Sequence, residues 1–127
     1  MNLEKVVFGF FIFLALTLNF GFFVGEIDNL EHHHLREFVI LFIVNAVALI
    51  MKLGDRSQVD AMLLATGLVA MLQLVGAALI WILAAHVWES GMTPGVMASI
   101  VSLAGGAMVA NVISVVLLVA ETVMLRR

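Results

Sequence analysis

Long apolar runs alternate with short polar breaks along this chain, and the breaks set the elements. From Glu89 to Glu121 there are 31 consecutive residues without a formal charge, enough at ~1.5 Å per residue to cross a ~30 Å hydrocarbon core and project beyond it. A run of 20 residues from Val6 to Gly25 follows Glu4 and Lys5. It is longer than a signal-peptide hydrophobic region and lacks a small-residue cleavage pattern, so it is read as a retained helix. The run from Ala61 to Ala85 has 25 uncharged residues. Between Glu37 and Lys52 only 14 residues, Phe38 to Met51, are uncharged, which alone also suits a re-entrant segment. Leu35 to Leu53 nevertheless reaches ~28 Å as a helix, with Arg36, Glu37 and Lys52 able to extend toward headgroups from its ends. The pattern therefore predicts an all-α integral membrane protein with transmembrane helices at about 4–25, 35–53, 58–87 and 94–125, forming a single domain over the 127 residues.

Local signals mark the boundaries. Gly54 is placed as a helix C-cap, and Ser57 three residues before Asp60 reads as a capping-box start. Thr93 with Pro94 supplies an N-cap followed by proline at the first helical position, where its missing N–H costs nothing. Trp81 and Trp88 sit at the end of the third run as interfacial anchors. The segment from Glu26 to His34 is polar and acidic, an extramembrane loop between two apolar runs.

Charge orients these helices. Lys5, Lys52, Arg56, Arg126 and Arg127 fall on one side and Arg36 alone on the other, so both termini are expected in the cytoplasm. The opposite side receives Glu26, Asp28, Glu31, Glu37, Glu89 and all four histidines. An even number of spans fits this partition; three do not.

Composition agrees, with 64% hydrophobic and 12% charged residues and a mean hydropathy of +1.19, far from soluble averages. Without cysteine, neither a disulfide framework nor a thiolate metal site is available. No basic stripe favours nucleic acid. All nine phenylalanines lie between Phe8 and Phe42, whereas the third and fourth helices are rich in Gly, Ala, Ser and Thr. Small residues let backbones approach, so those two helices are expected at the packed centre, and self-association into a homo-oligomer is expected to cover the rest of that surface.

Polar residues inside the apolar runs are the candidates for function. Ser99, Ser102, Gly106, Ala110, Ser114 and Glu121 fall within about a third of the fourth helix's circumference, with Asn111 beside them. Asn45, Gln73 and Asn111 sit near the centres of their helices at similar depth. Each is read either as interhelical hydrogen-bond glue or as part of a polar permeation path. Asn19 is read as a tie to a neighbouring helix or to the loop. Glu121 opposes the helix dipole and has Leu125 rather than a base at i+4; it reaches toward Arg126 or Arg127, or forms a carboxylate ring at a pore mouth. His32, His33 and His34 with Glu37 and His86 could ligate zinc, copper or nickel, although three consecutive histidines cannot all face one ion from a regular helix. A wet acidic loop is the plainer reading of that segment. No nucleophile motif, phosphate loop or intramembrane carboxylate pair suggests an enzyme, and no cofactor is implied.

The segments NFGFFVGEIDN with the following EHHH, KLGDRSQ, LQL around Gln73, and VAETVMLRR together resemble a family of small four-span proteobacterial inner-membrane proteins without an assigned activity. The resemblance covers nearly the whole chain and implies a bacterial inner membrane, but no catalytic or transported species. From the residues themselves, the expected function is a homo-oligomeric channel or transporter-like pore for small cations. The alternatives are a non-conducting accessory or scaffold subunit of a larger membrane complex, or a metal or pH sensor on the histidine side.

Overall fold

In the computed structural model the described residues are 3–25, 29, 33–55 and 57–125. They form four helices and no strands: α1 (Leu3–Phe23), α2 (Leu35–Lys52), α3 (Gln58–His86) and α4 (Pro94–Leu125). Three of these, α1, α3 and α4, are long and apolar enough to cross a membrane, which marks this as a membrane protein. α2 is shorter and carries Arg36, Glu37 and Lys52 within its 18 residues.

Local chemistry sets the ends. Gly54 takes a positive φ of 89° just past α2, a backbone state that glycine reaches without the Cβ penalty. α3 starts where the Ser57 hydroxyl accepts from the Asp60 amide at 3.0 Å, satisfying one of the four donors a helix start leaves open. At the head of α4 the Thr93 hydroxyl accepts from the Val96 amide at 3.1 Å.

Short connections force the helices to run up and down, and the two core clusters record it. One cluster joins Phe8 and Ile12 of α1, Ala48 of α2, Leu63 of α3 and Leu118 of α4, that is, the start, end, start and end of successive helices. The other joins Phe22, Phe38, Leu41, Leu74, Ala77, Met97 and Ile100 toward the opposite end. We refer to these as the lysine end and the histidine end. In the ring each helix touches the two beside it, with α3 against α4 the most extensive contact.

Size of side chain decides how close each pair comes. Ala70, Ala77, Ala104 and Ala107 are fully buried between α3, α4 and their neighbours, where small residues let backbones meet. A methyl added to Gly105 would lie 2.7 Å from the Phe23 ring, so α1 seats an aromatic against bare α4 backbone. Gly105→Ala is therefore expected to destabilise the bundle by ~1–3 kcal/mol through overpacking. Gly21→Ala, with nothing within 4 Å of the new methyl, should be neutral or slightly stabilising; unfolding midpoints in detergent would compare the two.

Candidate functional site

Polar groups in this bundle gather in three layers. The middle layer is built around Asn19, fully buried on α1. An amide's orientation is assigned from its partners, and here Nδ2 donates to the Ala104 carbonyl at 3.0 Å while Oδ1 accepts from Asn111 Nδ2 at 3.0 Å and from the Met108 amide at 3.2 Å. One side chain thus bridges a carbonyl and an amide one turn apart on α4 and binds a second buried amide. The glycines at 105 and 106 lie within that turn.

The other midbundle groups partner within their own helix or across the α3–α4 pair. Asn45 Nδ2 donates to the Leu41 carbonyl of its own helix at 2.8 Å. Thr66 donates to the Leu63 carbonyl at 3.1 Å, and since a hydroxyl has one proton, Ser114 is the donor in the 2.6 Å contact between Ser114 and Thr66. A void of about 10 Å³ between Asn45, Asn111, Phe8, Ile12, Leu63 and Gly67 receives residues from all four helices. It is about the size of one water and too small for a hydrated ion.

Gln73 differs from its neighbours. Its amide lies over Gly106, where an added methyl would stand 1.9 Å from Oε1, and that oxygen is buried without a hydrogen-bond partner. A groove of about 410 Å³ opens beside it between α3 and α4, floored by Gly106 and Ala110 and flanked by Val69, Val109 and Ile113. Ser99 and Ser102 are exposed farther along α4, with Ser99 returning a hydrogen bond to the Gly95 carbonyl at 3.3 Å. The polar face predicted for α4 is consequently divided: Ser99 and Ser102 point outward, Ser114 and Asn111 point inward, and Gly106 floors the groove.

Among the described residues the ion pairs lie at the lysine end. Lys52 is 7% exposed; its Nζ lies 3.0 Å from Asp60, 3.4 Å from Asp55 and 4.2 Å from the centre of the Phe8 ring, a cation–π position. Asp60 also accepts from the Ser57 hydroxyl at 2.7 Å. Lys5 meets Glu121 at 2.9 Å, joining α1 to α4. Arg126 and Arg127, expected near Glu121, lie outside the described residues, as does Arg56. The Lys52 cluster was not singled out from the sequence, where the lysine was expected to extend toward headgroups. Its signal was the nearby Asp55 and Asp60, which a short turn brings back to the end of α2.

At the histidine end His33 is 1% exposed. Its Nδ1 bonds the Phe22 carbonyl, which can only accept, so Nδ1 carries a proton. The ring lies 5.4 Å from that of Phe22, which in turn meets Phe38 and Trp81. His34 precedes α2 as its N-cap residue without a side-chain cap, Glu37 is half-buried, and His86 is exposed at the end of α3. Among the described residues no three His, Asp or Glu side chains converge as a metal site would require; His32 lies outside them.

Residues 32–122 match a family of unknown function, DUF6394. The chain belongs to this family. The match takes in α2, α3 and α4 and the loops between them, so the amides of those three helices and the Lys52 cluster fall within the family region, whereas Asn19 and Lys5 come from the helix before it. Neither the curated proteins nor the solved structures compared with it give a match.

Asn19→Ala and Asn111→Ala should each lower the free energy of unfolding in detergent by ~1 kcal/mol, the usual scale of an interhelical hydrogen bond in a membrane protein. Their double mutant should lose less than the sum, because the bond they share can be removed only once. Additive losses would separate the two residues energetically.

Proposed function

We propose that this DUF6394 protein is a non-enzymatic, non-conducting membrane subunit that works by assembly with copies of itself. The observation that carries this reading is the occupied interior. Asn19, Asn111, Asn45, Thr66 and Ser114 are hydrogen-bonded within one protomer, and Glu121 faces Lys5 in place of an open mouth. Such pairing serves cohesion, because unsatisfied polar groups in hydrocarbon are costly. The surface left for association is the α3–α4 groove. Ser99, Ser102, Gly106, Val109, Ile113 and Val116 follow one another along α4 at spacings of three and four, the pattern of a helix-packing seam, and no residue on it is bulkier than isoleucine.

In this reading α2 is the fourth span, since it packs against both α1 and α3 and shares their depth. In the same reading the lysine end, with both termini, faces the cytoplasm of a bacterial inner membrane, and the excess of basic residues on that side supports the orientation. A second reading draws on the outward Ser99 and Ser102. If copies close into a ring about that seam, their hydroxyls would line a path for small cations between protomers rather than through one.

The purified protein is expected to migrate as a discrete homo-oligomer in mild detergent, and Val109→Trp, which alters only an exposed position, should shift it to the monomer. Retained oligomer mass would move the interface away from the α3–α4 face. Liposomes carrying the protein should show no cation flux above empty controls; flux that Ser102→Leu abolishes would favour the ring.

Topology has a direct test because the chain has no cysteine. Ser90→Cys should react with a membrane-impermeant maleimide in cells whose outer barrier is opened, and Ser57→Cys only after lysis. Labelling of Ser57→Cys before lysis would remove α2 from the bilayer.

A further inference from the structure

The bundle is fastened unevenly, and a second opening follows from that. At the lysine end α2 and α3 lie close: a methyl on Gly67 would stand 3.2 Å from Leu49, and Lys52 is bonded across the turn to Asp60. Toward the histidine end the rings of Phe38 and Trp81, 5.4 Å apart, stand between the two helices. They part there, leaving an apolar cleft of about 310 Å³ walled by Phe38, Val39, Phe42, Ala78 and Ile82, with Trp81 beside them and His86 at its end. This volume falls in the range of small-molecule sites. Val39, Ile43 and Ile82 are about half exposed, so the cleft opens sideways, onto the hydrocarbon if α2 spans as proposed.

Charge identifies the occupant. Arg36 is the one basic Lys or Arg on the histidine side of the bundle. It precedes Val39 by three residues and Ile43 by seven, both of which line the cleft. In a helix this places all three on one stripe with Arg36 a turn above. Arg36 is exposed and forms no ion pair among the described residues. Glu37 belongs to the other side of α2, in line with the buried Leu41 and Val44, while Glu89 lies on the loop beyond His86. The mouth of an apolar cleft is thus flanked by a guanidinium and an imidazole, both hydrogen-bond donors suited to phosphate oxygens.

We propose that the α2–α3 cleft binds one acyl chain of an anionic phospholipid, with its phosphate held at Arg36 and His86. This rests on the four-span reading given above. The chain fills a space that α2 and α3 cannot close because aromatic rings hold them apart, and the Arg36 guanidinium at its rim selects the headgroup.

Trp81 reports on this site directly. The chain has two tryptophans, so Trp88→Phe leaves Trp81 as the sole emitter. In nanodiscs, phosphatidylglycerol brominated near the head of its acyl chain should quench Trp81 with about fivefold higher apparent affinity than phosphatidylcholine brominated at the same place, the contribution of one basic residue near the surface. Added to that background, Arg36→Gln should bring the ratio to about one without altering the fold, since Arg36 is exposed and forms no ion pair among the described residues. Ala78→Phe should reduce quenching by both lipids to the level of unselective boundary contact. Equal quenching by the two lipids before any change at Arg36, or a preference that survives Arg36→Gln, would overturn the proposal. Absence of quenching by either lipid would also overturn it, by keeping acyl chains away from Trp81, whereas failure of the four-span reading is read separately from early labelling of Ser57→Cys.

Discussion

An amide buried in an apolar bundle must find partners in protein, and Asn19 finds three along two turns of α4. Much of the arrangement depends on this. A side chain can reach a helix's own carbonyl and amide only where the backbone is uncovered, and Gly105 with Gly106 uncovers it. The same bareness admits the Phe23 ring on one flank and the Gln73 amide on the other. α4 therefore takes the central role through what it lacks: two missing side chains let α1 and α3 dock at the same level, and Asn111 adds a further amide to the contact.

The two ends hold the bundle by different physics. At the lysine end the contacts are ionic, with Lys52 tied to Asp55 and Asp60 and Lys5 to Glu121. Lys52 is nearly covered, so its charge is sustained by two carboxylates and an aromatic face, a combination that offsets its lost hydration. At the histidine end contact is between rings, and His33 closes it by bonding a carbonyl that the end of α1 leaves open. Rings spread helices apart where ion pairs draw them together, which is the origin of the cleft between α2 and α3.

The helical architecture was legible because its signals are local: uninterrupted apolar runs, Ser57 before Asp60, Thr93 before Pro94, and a glycine where the chain turns. α2 was the least legible, since charges at both ends shorten its apolar run. For the candidate residues a helical wheel groups positions of α4 by face, but it gives faces and not neighbours. It joined Ser99 to Ser114 as one stripe, whereas Asn19 and Thr66, on other helices, determine which end of that stripe is covered. Asn45, Gln73 and Asn111 share a similar depth in the sequence pattern, yet in the fold Asn45 turns to its own backbone, Asn111 to α1, and Gln73 to the bare surface of Gly106. Lys5 and Glu121, separated by 116 positions, become partners only through the closure of the ring.

That closure has a consequence for how the protein is made. α1, made before α4, holds an amide whose acceptor and donors belong to residues 104–111, and a lysine whose carboxylate lies at 121. At ~5–20 residues per second, α1 precedes those partners by on the order of ten seconds. Through that interval the first helix is an unfinished half of a contact, dependent on the insertion machinery or on nearby lipid to shelter Asn19. Completion of the bundle is thus tied to emergence of the last helix, and a chain truncated before α4 would leave its first helix exposed to quality control.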